Sequence, residues 1–142
     1  MQFRYPLDLT RSESQVIARV IDVPEAITFG EDAEHAIHEA EDALAVALGG
    51  YIADRERIPA PSESGPGQPA VTLSPLVTAK VALHNAMLER DMTKVALARK
   101  LGVTETTVRR LLDLDHRSHI GQVELALEQL GYRLVTSVAK VA

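Results

Sequence analysis

Between Ile58 and Ala70 the chain carries four of its seven prolines (Pro59, Pro61, Pro66, Pro69), together with Gly65, Gly67 and two serines. Each proline fixes φ and removes an amide donor, so no packed helix or strand crosses this stretch, which reads as a loop or linker. The 142 residues must therefore build their structure from a segment before it and a segment after it. That length suits one ordinary domain or two small ones.

The charge divides in the same place. Residues 1–70 carry five Lys/Arg (Arg4, Arg11, Arg19, Arg55, Arg57) against thirteen Asp/Glu, a balance of −8. Residues 71–142 carry ten against seven, a balance of +3, and the two sum to the net −5. Oppositely charged halves suggest oppositely charged partners. With 46% apolar residues a real core is available, and wholesale disorder is excluded. The lack of cysteine excludes disulfides, a thiol nucleophile and Cys-based metal sites. No apolar run approaches the roughly 18 residues of a membrane span. The N-terminus lacks a secretory apolar stretch, so a soluble, cytoplasmic protein is expected.

Apolar residues before the proline stretch change period once. Phe3, Tyr5, Leu7 and Leu9 alternate with Arg4, Pro6, Asp8 and Thr10, the pattern of a half-buried strand. Arg11–Ser14 reads as a turn, and Gln15–Val23 as a second strand with Val16, Ala18 and Val20 on one face. Ile17 and Ile21 lie on its other face, either as a partner surface or as a bare apolar edge without function. Ala26–Phe29 is a third strand candidate, and Gly30 turns the chain. From Asp32, a candidate N-cap, Ala33, Ile37, Ala40, Leu44, Ala47 and Tyr51 recur every three or four residues. This predicts a helix of about six turns with Ala36, Ala43 and Leu48 beside the stripe and an acidic face of Glu34, Glu39, Glu41 and Asp42.

Val71–Leu73 is a short strand candidate, and Ser74-Pro75 an N-cap followed by proline at the first helical position. Helices are then expected over 75–89, 93–101, 104–112 and 120–130. Tyr132–Val138 alternates like a strand, which wants a neighbouring edge to pair with.

Thr93–Leu112 carries the most chemistry. Ala98 is small where a second helix must approach, and Gly102 falls four residues later, at a turn favouring positive φ. Leu97 and Leu101 face Val103, Val108 and Leu111, and Thr104 is a good N-cap. This spacing predicts a helix-turn-helix with Thr104–Leu112 as recognition helix, against the alternative of a plain helical bundle. Its outward residues are Glu105, Thr106, Thr107, Arg109 and Arg110. Arginine donates two hydrogen bonds to guanine, and threonine bonds a base edge or touches a thymine methyl. Lys94, Thr104 and Arg117 complete the expected DNA-binding set, with Lys94 and Arg117 as phosphate contacts.

Other chemistries have thinner support. His35/His38 and His116/His119 lack a third and fourth ligand, so neither a metal nor any other cofactor is expected. Asp8, Asp22, Glu25 and Glu39 would suit a nuclease only if they converged, which nothing in the sequence requires. No serine sits in a G-x-S-x-G setting, and an enzyme is not expected.

Tyr5-Pro-Leu-Asp-Leu-Thr10, Ile21-Asp-Val-Pro-Glu-Ala-Ile-Thr-Phe-Gly-Glu31, Ala36–Leu48 and Ile58-Pro-Ala-Pro-Ser62 together resemble the N-terminal module of HicB-type antitoxins. From Leu73-Ser-Pro-Leu onward the chain is similar to the subgroup with a C-terminal helix-turn-helix of the phage-repressor (Xre/Cro) type. Ser12-Glu13-Ser14-Gln15 departs from the family in lacking hairpin glycines. The resemblance implies an α+β protein. On that resemblance, residues 1–74 are expected to form a degraded ribonuclease-H-like sheet and helix that blocks a HicA-type toxin ribonuclease sterically. Residues 75–142 are expected to form a DNA-binding and dimerisation domain that represses the shared operon. It also implies a homodimer or dimer of dimers on palindromic operator DNA, with no membrane involvement. The competing reading is a stand-alone repressor whose N-terminal domain senses a small molecule, and a third is a residual ribonuclease.

Overall fold

The computed structural model describes residues 3–141 and divides the chain into two compact units, Met1–Leu73 and Ser74–Ala142. The first is an antiparallel sheet with one helix, and the second is built of helices.

In the first unit β1 (Arg4–Arg11) and β2 (Val16–Val20) form a hairpin in the register Leu7 opposite Val20 and Arg11 opposite Val16. The Ser12 amide and hydroxyl both donate to the Gln15 carbonyl, at 2.9 and 3.1 Å, closing the turn without glycine. β3 (Ile27–Gly30) pairs with β2, and β4 (Ala70–Thr72) with the far side of β1, giving the order β3-β2-β1-β4. Tyr5, Leu7, Val16, Ala18 and Val20 are buried on one face of this sheet. Helix α1 (Ala33–Ala53) covers that face with Ala36, Ala40, Leu44 and Leu48. The stripe is rotated from the expected one: Ile37, Ala47 and Tyr51 are only half-buried. Two small alanines would leave this half of the helix loosely held if it stood at an ordinary distance. Gly30 removes that problem, since a Cβ there would lie 2.4 Å from the Ala36 backbone nitrogen. Asp32 caps the helix, its carboxylate accepting from the His35 amide at 2.8 Å.

The proline-rich stretch is a loop of this unit, not a linker between units. Ile58 is fully buried, and the Tyr5 hydroxyl donates to the Pro59 carbonyl at 2.7 Å. The Ser62 amide donates to the Asp22 carboxylate at 2.8 Å, and the Leu7 amide to the Pro69 carbonyl at 2.8 Å. Polar backbone that cannot form a ladder is thus satisfied by the edges of the sheet. Pro6 is also buried although it alternates with the core residues.

In the second unit α2 (Pro75–Glu89), capped by Ser74, runs through the core, with Ala79, Val81, Leu83 and Ala86 buried. Helices α4 (Glu105–Leu112) and α5 (Ile120–Gln129) pack with it and α3 (Lys94–Leu101) packs against both of them, with Leu97, Val108, Leu111, Val123 and Leu127 buried. The Arg90 guanidinium holds the C-terminal end of α5, donating from Nε and Nη2 to the Leu130 carbonyl at 3.1 and 2.9 Å.

Two expectations fail here. Val103, expected in the buried face, is 39% exposed, because the left-handed Gly102 swings the chain outward before α4 starts. Tyr132–Val138 forms no strand; Val135 and Val138 are 79% and 100% exposed. The alternation is present, but no sheet edge within this unit lies beside it, and a strand has no ladder of its own.

Candidate functional site

The turn between α3 and α4 follows from three residues. Thr93 caps α3 by accepting from the Ala96 amide at 3.0 Å. Gly102 stops it at φ 69°, ψ 33°, a left-handed conformation in which a Cβ is strained. The Val103 amide then closes back on the Ala98 carbonyl at 3.0 Å. Thr104 starts α4, its hydroxyl accepting from the Thr107 amide at 3.2 Å and lying 3.0 Å from the Thr107 hydroxyl. Buried Leu97 and Ala98 meet Val108 and Leu111, so the other face of α4 is turned to solvent.

That face holds most of the expected set. Thr106, Arg109 and Arg110 are exposed, and Glu105 and Thr107 are half-buried at its margins. Arg109 and Glu105 form an ion pair at 2.8 Å across one helical turn, with both side chains solvated. Lys94, half-buried, opens α3, and Arg117 is exposed in the loop after α4. Thr104 is exposed, and its hydroxyl is engaged in capping α4.

Sequence reasoning missed what anchors α4. Lys80, fully buried on α2, donates to the carbonyls of Arg110 at 2.9 Å, Asp113 at 2.5 Å and His116 at 2.7 Å. Its cation thereby neutralises the partial negative charge at the helix end. Burial pushes the Lys80 ammonium below the ordinary lysine value, and nearby Asp113 opposes the shift. The Ser118 hydroxyl adds a second donor to the Arg110 carbonyl at 3.2 Å. A lysine inside an apolar helix pattern was the available signal, because an unpaired buried ammonium is too costly to occur.

The first unit offers a different surface. The outer face of its sheet carries Ile17 opposite Phe29 and Arg19 opposite Ile27, with Arg19 3.6 Å from Asp8. Its exposed apolar groups are mainly Ile27 (56%) and Phe29 (63%) on β3, more than the expected Ile17 and Ile21. A groove of about 460 Å³ runs beside β3, between it and the acidic side of α1.

The carboxylates considered for metal or nuclease chemistry do not converge. Asp8 faces Arg19, Asp22 holds Ser62, Glu25 accepts from the Tyr51 hydroxyl at 2.8 Å, and Glu39 lies 3.4 Å from His35. Among the described residues no three His, Asp or Glu side chains come together as a metal set. Among them also, no helix is long and apolar enough to cross a membrane.

A family model described as the HicB-like antitoxin of bacterial toxin–antitoxin systems matches residues 4–82. Full-length relatives extend the similarity through both units. "Antitoxin HicB" of Pseudomonas fluorescens (strain Pf0-1) is 39% identical over 139 residues, 97% of this chain and 95% of that one. "Antitoxin HicB" of Escherichia coli (strain K12) is 37% identical over 132 residues, covering 92% and 96%. "Antitoxin HicB 2" of Photorhabdus laumondii is 37% identical over 131 residues, covering 92% and 93%.

Proposed function

The chain belongs to the HicB-like family of bacterial antitoxins, and on that premise we propose that it neutralises a HicA-type, mRNA-cleaving ribonuclease and represses its own operon. The first unit, a reduced ribonuclease-H-like sheet and helix in this reading, covers the RNA-binding face of the toxin and contributes no chemistry. Its balance of −8 favours encounter with a basic RNA-cleaving partner. The second unit reads DNA as a helix-turn-helix with α4 in the major groove. Arg109, Arg110, Thr106 and Thr107 meet base edges or adjacent phosphates, and Lys94 and Arg117 hold the backbone.

The observation that carries the DNA half is the left-handed Gly102 between two capped eight-residue helices, leaving the arginine face of α4 in solvent. A second copy supplies the edge that Tyr132–Val138 lacks, so that a two-fold dimer, or a dimer of dimers, matches a palindromic operator.

Co-expression with a HicA-type toxin tests the first half. Growth is restored and the two proteins co-purify; growth arrest with no co-purification overturns it. Binding of the purified chain to the DNA upstream of its own reading frame, in preference to a shuffled duplex, tests the second. Toxin binding without operator binding leaves an antitoxin only, and operator binding without toxin binding leaves the stand-alone repressor.

A further inference from the structure

The open edge of β3 is where the first unit is least finished. β3 lies at the end of the sheet order, so one side of its backbone faces away from β2. Which groups face outward follows from two bonds. The Val20 amide donates to the Ala26 carbonyl at 3.0 Å, toward β3, and the Ile21 amide to the Pro6 carbonyl at 3.1 Å, toward β1. Ladder bonds alternate along an antiparallel pair, so Ala26, Thr28 and Gly30 turn their backbone groups to β2. Ile27 and Phe29 turn theirs to the open side. The Ile27 amide bends back to the Glu25 carbonyl at 3.1 Å, which leaves the Ile27 carbonyl and both backbone groups of Phe29 pointing outward.

Soluble proteins usually blunt such an edge with lysine, proline or a bulge. Ile-Thr-Phe-Gly has none of these, and it exposes two large apolar side chains on the sheet's outer face. On the helix side of the same edge lies the groove, with Val46 78% exposed and Glu25, Glu39 and Asp42 along it.

Resting on the toxin-binding reading above, we propose that β3 is extended by an added strand from the basic toxin partner. Its apolar side chains lie against Ile27 and Phe29, and its alternating basic side chains enter the groove toward Glu39 and Asp42. Backbone pairing supplies affinity in this mode, and the alternating side chains supply specificity. Charge decides between this occupant and a second copy. Another β3 would bring its own Glu25, Glu39 and Asp42 against this set, and each copy of the unit carries −8.

The test uses the full chain and a purified HicA-type ribonuclease. Amide hydrogen exchange is followed with and without the partner, and binding is measured by calorimetry for Phe29→Pro and Asp42→Lys. Phe29→Pro removes the outward amide together with the exposed ring that the added strand would cover, and Asp42→Lys alters an exposed helix position that the fold does not use. The Phe29 amide exchanges at least about tenfold more slowly in the complex, and each variant binds at least about tenfold more weakly. A tight complex in which Phe29 stays unprotected and Asp42→Lys binds like the unaltered chain overturns the strand addition while the antitoxin reading stands. Failure of the unaltered chain to bind overturns both. Protection of Phe29 without the partner, with a doubled mass that Phe29→Pro abolishes, overturns the assigned occupant in favour of a second copy.

Discussion

The ammonium of Lys80 lies 2.9 Å from the carbonyl of Arg110, at the helix end whose outer side chains are proposed to meet DNA. With the Asp113 and His116 carbonyls it forms a three-pronged clamp that fixes how α4 ends. Lys80→Met keeps the apolar stem and leaves those carbonyls short of a donor. Each carbonyl keeps a backbone donor, the amides of Asp113, His116 and Ser118 at 3.3, 3.1 and 3.0 Å, so the loss is that of three hydrogen bonds, each worth about 1 kcal/mol net. We expect a loss of about 2–4 kcal/mol in the urea unfolding of the second unit, followed by circular dichroism. A variant as stable as the parent would show that the clamp contributes nothing net.

Arg109 can meet DNA only by leaving Glu105, which already holds it. An exposed pair one helical turn apart is worth about 0.3–0.5 kcal/mol, whereas a bidentate arginine–guanine contact is worth about 1–3 kcal/mol. The pair therefore yields to the base. Glu105→Gln should strengthen binding to non-specific duplex and leave stability almost unchanged. Arg110→Ala should weaken operator binding by about 1–3 kcal/mol if it reads a base, and weaken all sequences alike if it holds a phosphate. Titrations against operator and shuffled DNA at two salt concentrations separate these cases. Tighter operator binding by Arg110→Ala would remove α4 from the interface.

Features that were legible in the sequence are those set by local chemistry. Asp32, Ser74 and Thr104 cap the helices they were expected to begin, because a short polar side chain before an apolar stripe has few other uses. Gly102 was found for the same reason. Residues whose role depends on distant partners were not legible. Nothing near Lys80 in sequence announces three carbonyls that lie 30 to 36 positions later. The Ile27 and Phe29 surface was missed because a four-residue strand is too short for its alternation to show which face is buried. Tyr132–Val138 alternates like a strand, yet a strand exists only where an edge receives it.

Gly30 gives a stability prediction with a steric cause. A methyl group there would overlap the backbone nitrogen of Ala36, and backbone cannot swing aside as a side-chain tip can. Gly30→Ala must push the start of α1 away from β3, loosening the contacts of Ala36 and Ala40 with the sheet. Overpacking of this kind costs about 1–3 kcal/mol. The effect should be read in the unfolding of the first unit, while Gly49→Ala, where a Cβ meets nothing within 4 Å, stays neutral or gains slightly. Equal effects at the two glycines would mean that α1 rides freely over the sheet.

Two tyrosines make the same unit sensitive to alkali, in a direction that can be worked out. Burial, with the Asp22 charge adding to it, holds the Tyr5 phenol well above its ordinary value. The hydrogen bond to Glu25, then burial and the charges of Glu25 and Glu56, pushes Tyr51 up to about 12. Above pH 10 the unfolded chain releases these protons while the folded chain keeps them, so the unfolded state binds fewer protons and stability falls as pH rises. Their contribution is complete below pH 10; the Tyr51 part is lost by about pH 12, and the Tyr5 part continues beyond. Tyr5→Phe keeps the buried ring and removes the bond to the Pro59 carbonyl, so it should lower stability at neutral pH by about 1 kcal/mol. The variant should also lose less stability than the parent between pH 9 and pH 11, since it has no phenol to ionise. Urea midpoints of the sheet signal at those pH values decide the matter: parallel declines would mean that the fold does not hold the Tyr5 phenol above its ordinary value.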